Sequence, residues 1–245
     1  MRIVFFGSSH GVPEPNRKCS SAMIEVDGEH RYIIDMGTQA IEQLVDRNIP
    51  VESVKAIFIT HMHGDHTNGL LSFLDLCGWA FKKADPMIYL PGDVEKTKKA
   101  IGDWLACTGS KLKPYEFRQV NEGEIFDDGV IRVTAYRTEH TDSSFAFLVE
   151  AEEKRVLFGG DLRYGNHAAD FPMETLEKPL DLAICECAHL KATEFVPLFK
   201  GNGNLKKLCI NHYAARFWGS MIEAREELSK EMEVIFAADG LEINV

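Results

Sequence analysis

The stretch Ile59-Thr60-His61-Met62-His63-Gly64-Asp65-His66-Thr67-Asn68-Gly69 limits this chain more tightly than any other. It sets three histidines and an aspartate directly behind the run from Val54 to Thr60, which reads as a buried strand. At alternate positions His61 and His63 point the same way while the chain stays extended. Gly64 then lets the backbone turn, which brings Asp65 and His66 round from another direction. One short loop thus offers two ligand sets to two adjacent points. Imidazole and carboxylate suit Zn²⁺, Mn²⁺ or Fe. A solvated histidine-rich loop or a tag is the alternative, but a tag sits at a terminus and this cluster follows a core strand.

The apolar patterning around this loop predicts strands at 2–6, 21–26, 31–36 and 54–60, with a helix over 38–48. A second helix is expected from Thr67 to about Phe81, with Thr67 or Asn68 as its cap. A strand in Met87-Ile88-Tyr89-Leu90 precedes a helix over 93–107. Four strand signals follow between Tyr115 and Ala151, then further strands at 155–161, 180–186, 207–212 and 232–237, with helices near 193–200 and 216–230. Strands bunch in runs and helices fall between the runs, which excludes a plain doubly wound sheet. The expected fold is α/β, a four-layer αββα sandwich of two mixed sheets with helices outside.

The 245 residues carry no linker composition, low-complexity tract or repeat, so residues 1–245 read as one domain. A formal net charge of −11 and the lack of a long Lys/Arg block argue against non-specific nucleic-acid binding. The opening Met1-Arg2-Ile3-Val4-Phe5-Phe6 is strand-like rather than a signal peptide, and no apolar run approaches the roughly 18 residues of a membrane span. The cysteines at 19, 77, 107, 185, 187 and 209 are scattered through mostly apolar segments and read as reduced, buried thiols. A cytoplasmic location is expected.

Three further polar residues come directly after predicted strands: His140, Asp161 and His212. Any one alone would read as a structural histidine or a turn aspartate, but together with the 61–66 cluster they can complete two metal sites. This order, H-x-H-x-D-H, a lone His, a Gly-Asp after a strand and a final His, resembles the metallo-β-lactamase superfamily. The likeness runs from Gly7 to His212 and includes Asp35 in Ile33-Ile34-Asp35-Met36-Gly37. It implies two divalent metal ions, Zn with Mn or Fe as alternatives. His61, His63 and His140 would hold one; Asp65, His66 and His212 the other; Asp161 would bridge. Asp35 would order the 61–66 loop through hydrogen bonds, and Asp65 would also orient the nucleophile.

Two metals about 3.5–4 Å apart can share a hydroxide, because binding lowers the pKa of water from about 15.7 toward 7. The expected reaction is hydrolysis by a metal-bound hydroxide. Residues 5–21, 33–44 and 140–150 are similar to segments of ribonuclease Z and of small cyclic-nucleotide and phosphonate-pathway phosphodiesterases. Two departures set the chain apart from ribonuclease Z. Only 20 residues, 141–160, lie between His140 and Asp161, where that enzyme carries a long tRNA-binding arm. Its H-E-A-T motif is replaced by Cys185-Glu186-Cys187-Ala188. The resemblance therefore implies a small phosphodiester: a cyclic nucleotide, a cyclic ribose phosphate or a short oligonucleotide. A thioester or lactone hydrolase of this fold is the alternative, and a non-catalytic metal-binding protein a further one. Neither a stable nucleic-acid complex nor a membrane partner is expected, and a homodimer is compatible.

His189 matches a histidine of the phosphonate-pathway enzymes and could protonate the leaving alkoxide as general acid, or be a loop residue. Ser143 or Ser144 could offer a hydroxyl to a phosphate, or simply form a turn into a strand. Cys185-Glu186-Cys187-Ala188-His189 could be taken for a zinc site, but alternation along the strand turns both cysteines to one side and Glu186 to the other. The cysteines are expected to pack and Glu186 to support the site. His10 and His167 read as solvated loop residues, His30 as a turn residue, and Met23, Met36 and Met62 as packing. Trp79, Trp104 and Trp218 read as core or interface.

Overall fold

The computed structural model describes residues 1–12 and 14–245. Its strands and helices follow in the order β1 (Arg2–Gly7), β2 (Ser21–Val26), β3 (His30–Ile34), α1 (Ala40–Asp46), β4 (Val54–Phe58), α2 (Gly64–Trp79), β5 (Met87–Leu90) and α3 (Val94–Cys107). There follow β6 (Phe117–Gln119), β7 (Gly123–Asp127), β8 (Arg132–Thr138), β9 (Ser144–Ala151), β10 (Lys154–Phe158) and β11 (Leu182–Cys187). The chain continues through α4 (Val196–Phe199), β12 (Lys207–Tyr213), α5 (Trp218–Leu228), β13 (Glu233–Phe236) and β14 (Glu242–Asn244). One seven-stranded sheet runs β14-β1-β2-β3-β4-β5-β6 and the other β13-β12-β11-β10-β9-β8-β7.

Strand alternation builds the layers. In β1, Ile3 and Phe5 enter the core between the sheets, where they join Phe58 and Phe126 with Phe147, Val156 and Ile184. Val4 and Phe6 face outward and join Met23, Ile57 and Phe73 of α2 with Ile101 of α3. On the far side Leu157 and Leu208 pack with Phe195, Phe199 and Met221. Three apolar layers between four structural ones give the αββα sandwich. Phe58, at the end of β4, stacks on Tyr89 with centroids 4.9 Å apart and meets Phe126 edge-on at 5.4 Å. The rim that carries the histidine loop therefore stands on a rigid aromatic floor.

Several expectations are corrected. The helix begins at Gly64 and not at Thr67, so Asp65 and His66 lie in its first turn; His63 is the extended residue before it, and Thr67 Oγ1 donates back to the His63 carbonyl at 3.0 Å. Trp79, Trp104 and Trp218 are 60%, 59% and 46% exposed, which removes them from the core, and Met62 is likewise exposed while Met23 and Met36 are buried. All six thiols are free, and only Cys107 is exposed. The short β14, paired antiparallel to β1, has no counterpart in the sequence reading. Among the described residues no helix is long and apolar enough to cross a membrane.

Candidate metal centre

Asp35, just past β3, is buried and adopts a left-handed backbone with φ 62°. Its Oδ1 accepts the Thr60 N–H at 2.8 Å, and its Oδ2 accepts His66 Nδ1–H at 2.7 Å. The Thr60 hydroxyl donates to the same carboxylate and accepts from His61 Nδ1 at 3.1 Å. These bonds fix which nitrogen of His61 and of His66 carries hydrogen, leaving each Nε2 lone pair free. Outer hydrogen bonds do this for metal-binding imidazoles generally. Thr60 escaped the sequence reading; its only signal was its place between the strand and His61.

His61 Nε2 lies 3.0 Å from His63 Nδ1, which lies 3.1 Å from His140 Nε2. Four tetrahedral ligands about 2.0–2.1 Å from one zinc ion are separated by about 3.3 Å, close to this spacing. The second group comes from elements further apart. His66 Nε2 is 3.3 Å from Asp65 Oδ2, and His212 Nε2 is 3.7 Å from the same oxygen. Asp161, beyond β10, lies between the groups. Its Oδ2 is 3.7 Å from His61 Nε2, 3.8 Å from His140 Nε2 and 3.3 Å from His212 Nε2, and its Oδ1 is 3.6 Å from His66 Nε2.

His212 owes its position to a β-bulge. Cys185 pairs with Ile210 and Cys187 with Tyr213, so two residues of β12 face one of β11, and His212 sits there at φ 44°. Such a bulge re-aims a side chain at a site.

The fit to divalent cations rests on unpaired buried atoms. His66 Nε2 and Asp161 Oδ1 are buried without a hydrogen-bond partner. Leaving such groups unpaired is costly, and a cation would satisfy both. Burial and the neighbouring imidazoles push His61 down to about 2, so it presents the neutral, metal-binding ring. Burial alone would raise Asp161 and Asp65, but the surrounding histidines hold both below the usual carboxylate range. The groups His61/His63/His140 and Asp65/His66/His212 could each hold a metal ion.

Glu186 is a hub. It accepts the Leu162 N–H at 2.7 Å and the N–H groups of Ala188 and His189 at 2.9 and 2.8 Å; its carboxylate also takes His189 Nδ1–H at 2.9 Å. The His189 ring lies 4.5 Å from that of His140 and 6.3 Å from that of His212. Burial lowers the His189 pKa, but the Glu186 contact outweighs it and the net shift is upward. Cys185 and Cys187 pack in the outer apolar layer, where burial raises both thiols, Cys187 to about 11.

Of the two readings of Ser144, the turn into a strand is the one seen: it is 1% exposed, and its hydroxyl bonds the Thr138 carbonyl at 3.1 Å and the Thr141 N–H at 3.1 Å. Ser143 is half-buried, next to Gly92. His10 is held against Glu14 at 3.1 Å rather than solvated, while His167 is on the surface as expected. A Cβ on the neighbouring Gly11 would sit 3.4 Å from Asp65 Oδ2, so this loop walls the site.

Two face-to-face seven-stranded sheets with this His/Asp order along one rim define the metallo-β-lactamase superfamily, a class of metal-dependent hydrolases. Residues 1–187 match the family described as Anti-Pycsar protein Apyc1, and the chain belongs to that family. Ribonuclease Z of Thermosynechococcus vestitus is 32% identical over 152 residues, covering 61% of this chain and 36% of that protein. The chain thus spans about half or less of the curated relatives it first matches. In fold it is similar to the metallo-beta-lactamase fold protein YhfI from Bacillus subtilis, with TM-score 0.77, 19% identity and coverage of 99% and 98% of the two chains. Human tRNase Z, short form, superposes with TM-score 0.75 at 22% identity, covering 100% of this chain and 99% of that one.

Proposed function

We propose that the chain, acting as one domain, is a dinuclear metal-dependent phosphodiesterase of small substrates: a cyclic nucleotide, a cyclic ribose phosphate or a short oligonucleotide. The observation that carries this reading is the convergence of two ligand triads on Asp161 with His189 beside them. Two divalent ions bound there would supply Lewis acidity and a nucleophile at neutral pH. Asp65, backed by Gly11, orients the attacking water through its carboxylate. His189, whose Nδ1–H is committed to Glu186, has its Nε2 proton to give to the leaving alkoxide. The relatives' name and the yeast PDE1 fold likeness support phosphodiester chemistry. Small substrates are supported by the segment after His140, which is only the antiparallel hairpin β9–β10.

The test loads purified protein with Zn²⁺, Mn²⁺ or Fe²⁺, counts bound metal, and assays a phosphodiester, a phosphomonoester, a thioester and a lactone side by side. Two ions per chain and turnover of the diester are expected. Turnover confined to the thioester or lactone would overturn the reading.

A further inference from the structure

His140 stands on no helix or strand: it follows β8 in the loop before β9. Its ring is oriented through Nδ1–H, which donates to the Leu162 carbonyl at 3.2 Å. Leu162 belongs to a separate loop after β10, whose own N–H is tied to Glu186. For the ring and that carbonyl to meet, the two loops must be held in register. Asp170 spans them. Its Oδ2 accepts the Glu139 N–H at 2.8 Å and the Arg163 N–H at 3.0 Å, the residues immediately before His140 and after Leu162. Its Oδ1 accepts the Asn166 amide at 2.8 Å, which holds the carboxylate in place. The turn that carries it is pinned by Ala168 and Phe171, buried in the outer apolar layer. The same loops are also joined by an Arg163–Glu139 ion pair at 3.0 Å, with side chains 61% and 59% exposed. Such an exposed pair contributes little, so the carboxylate is the stronger tie.

We propose that Asp170 is a positioning residue for the His61/His63/His140 triad, because its carboxylate sets the direction in which His140 Nε2 points. This rests on that triad being a metal site. Outer partners of metal-binding histidines typically change affinity by about 10–100-fold when removed. Asp170→Asn keeps an oxygen that can accept both backbone N–H groups. Its new amide NH₂ can meet Asn166 Oδ1, which is buried without a partner and comes round when the Asn166 amide turns.

The test strips the chain of metal and titrates it with Co²⁺, following the visible absorption of each site. The unmodified chain is expected to bind two ions, and fewer than two would overturn the metal reading and this assignment with it. Asp170→Ala should keep one ion at unchanged affinity and bind the other about 10–100-fold more weakly, with Asp170→Asn near the unmodified chain and Arg163→Ala within about twofold of it. Unchanged affinity at both sites in Asp170→Ala, or equal weakening at both, would overturn the role. Should the alanine variant fail to fold, amide exchange in the unmodified protein decides: slow exchange at both Glu139 and Arg163 supports the clamp, and free exchange at either overturns it.

Discussion

The two ligand triads are held by different means. Asp65 and His66 sit in the first turn of α2 and His212 in the bulge of β12, so regular structure aims them; His66 is 1% exposed and His212 4%. His61 shares that burial, but His63 is exposed and His140 rides on a loop. Regular structure sets the first group, with Asp35 orienting His66, whereas hydrogen bonds between loops orient His140 of the second. A rigid scaffold under one half and a tied scaffold under the other means that two metal ions bound there would differ in how easily they are lost.

Asp35→Ala attacks the buried hydrogen bonds beneath His61 and His66 and should show the largest effect on stability. It strands His66 and Thr60 in the interior, and breaking a buried, hydrogen-bonded pair costs about 3–5 kcal/mol. Chemical denaturation of the metal-free protein measures it; a loss under about 1 kcal/mol would mean that the buried ties are no firmer than the exposed ones. His189→Ala touches the face that both triads share. The expected loss in kcat is about 10²–10⁴-fold for a substrate with an alkoxide leaving group, and far less for a nitrophenolate, which needs no proton. Equal losses for the two would remove His189 as the acid.

His63→Ala should cost one bound ion but only about 0.5 kcal/mol of metal-free stability, because its ring is exposed. A fall comparable with that of Asp35→Ala would abolish the contrast. The smallest effect on the metal centre is expected at the opposite end of the sandwich. Burial alone would raise Asp181, but Lys206, the Arg155 N–H and Lys154 hold it below the usual aspartate range. Because the folded pKa lies below the unfolded one, its contribution is present above pH 3.8 and is lost as pH falls through the folded value. Asp181→Asn should therefore cost about 1 kcal/mol at pH 7 and nothing in strong acid, with metal affinity unchanged. A gap that persists in acid would assign the effect to shape rather than charge.

The residues legible in the sequence were those whose geometry is local. The 61–66 cluster declares itself because alternation and one glycine fix its directions over six residues. His140, Asp161 and His212 could be picked out because each ends an apolar strand. Inward and outward differ by a single position along a strand, so Ser143 and Ser144 cannot be told apart until the register is known. The choice between core and interface for the tryptophans is hidden for a similar reason, since apolar helix neighbours do not say which face meets the sheet. Asp170 left no trace at all. Its partners are backbone N–H groups, and one of them is 31 residues away in a different loop.

The positive φ values at Asp35 and His212 bear on how this protein responds to mutation. A left-handed backbone at a non-glycine residue costs about 1–3 kcal/mol, which glycine would not incur. His212→Gly would thus recover backbone strain while deleting a side chain of the candidate centre. A library screened only for folding or heat resistance would weigh that gain against the lost His212–Asp161 contact, whereas one screened for turnover would discard the replacement. Positions where those two screens disagree would trace the site without any knowledge of its chemistry.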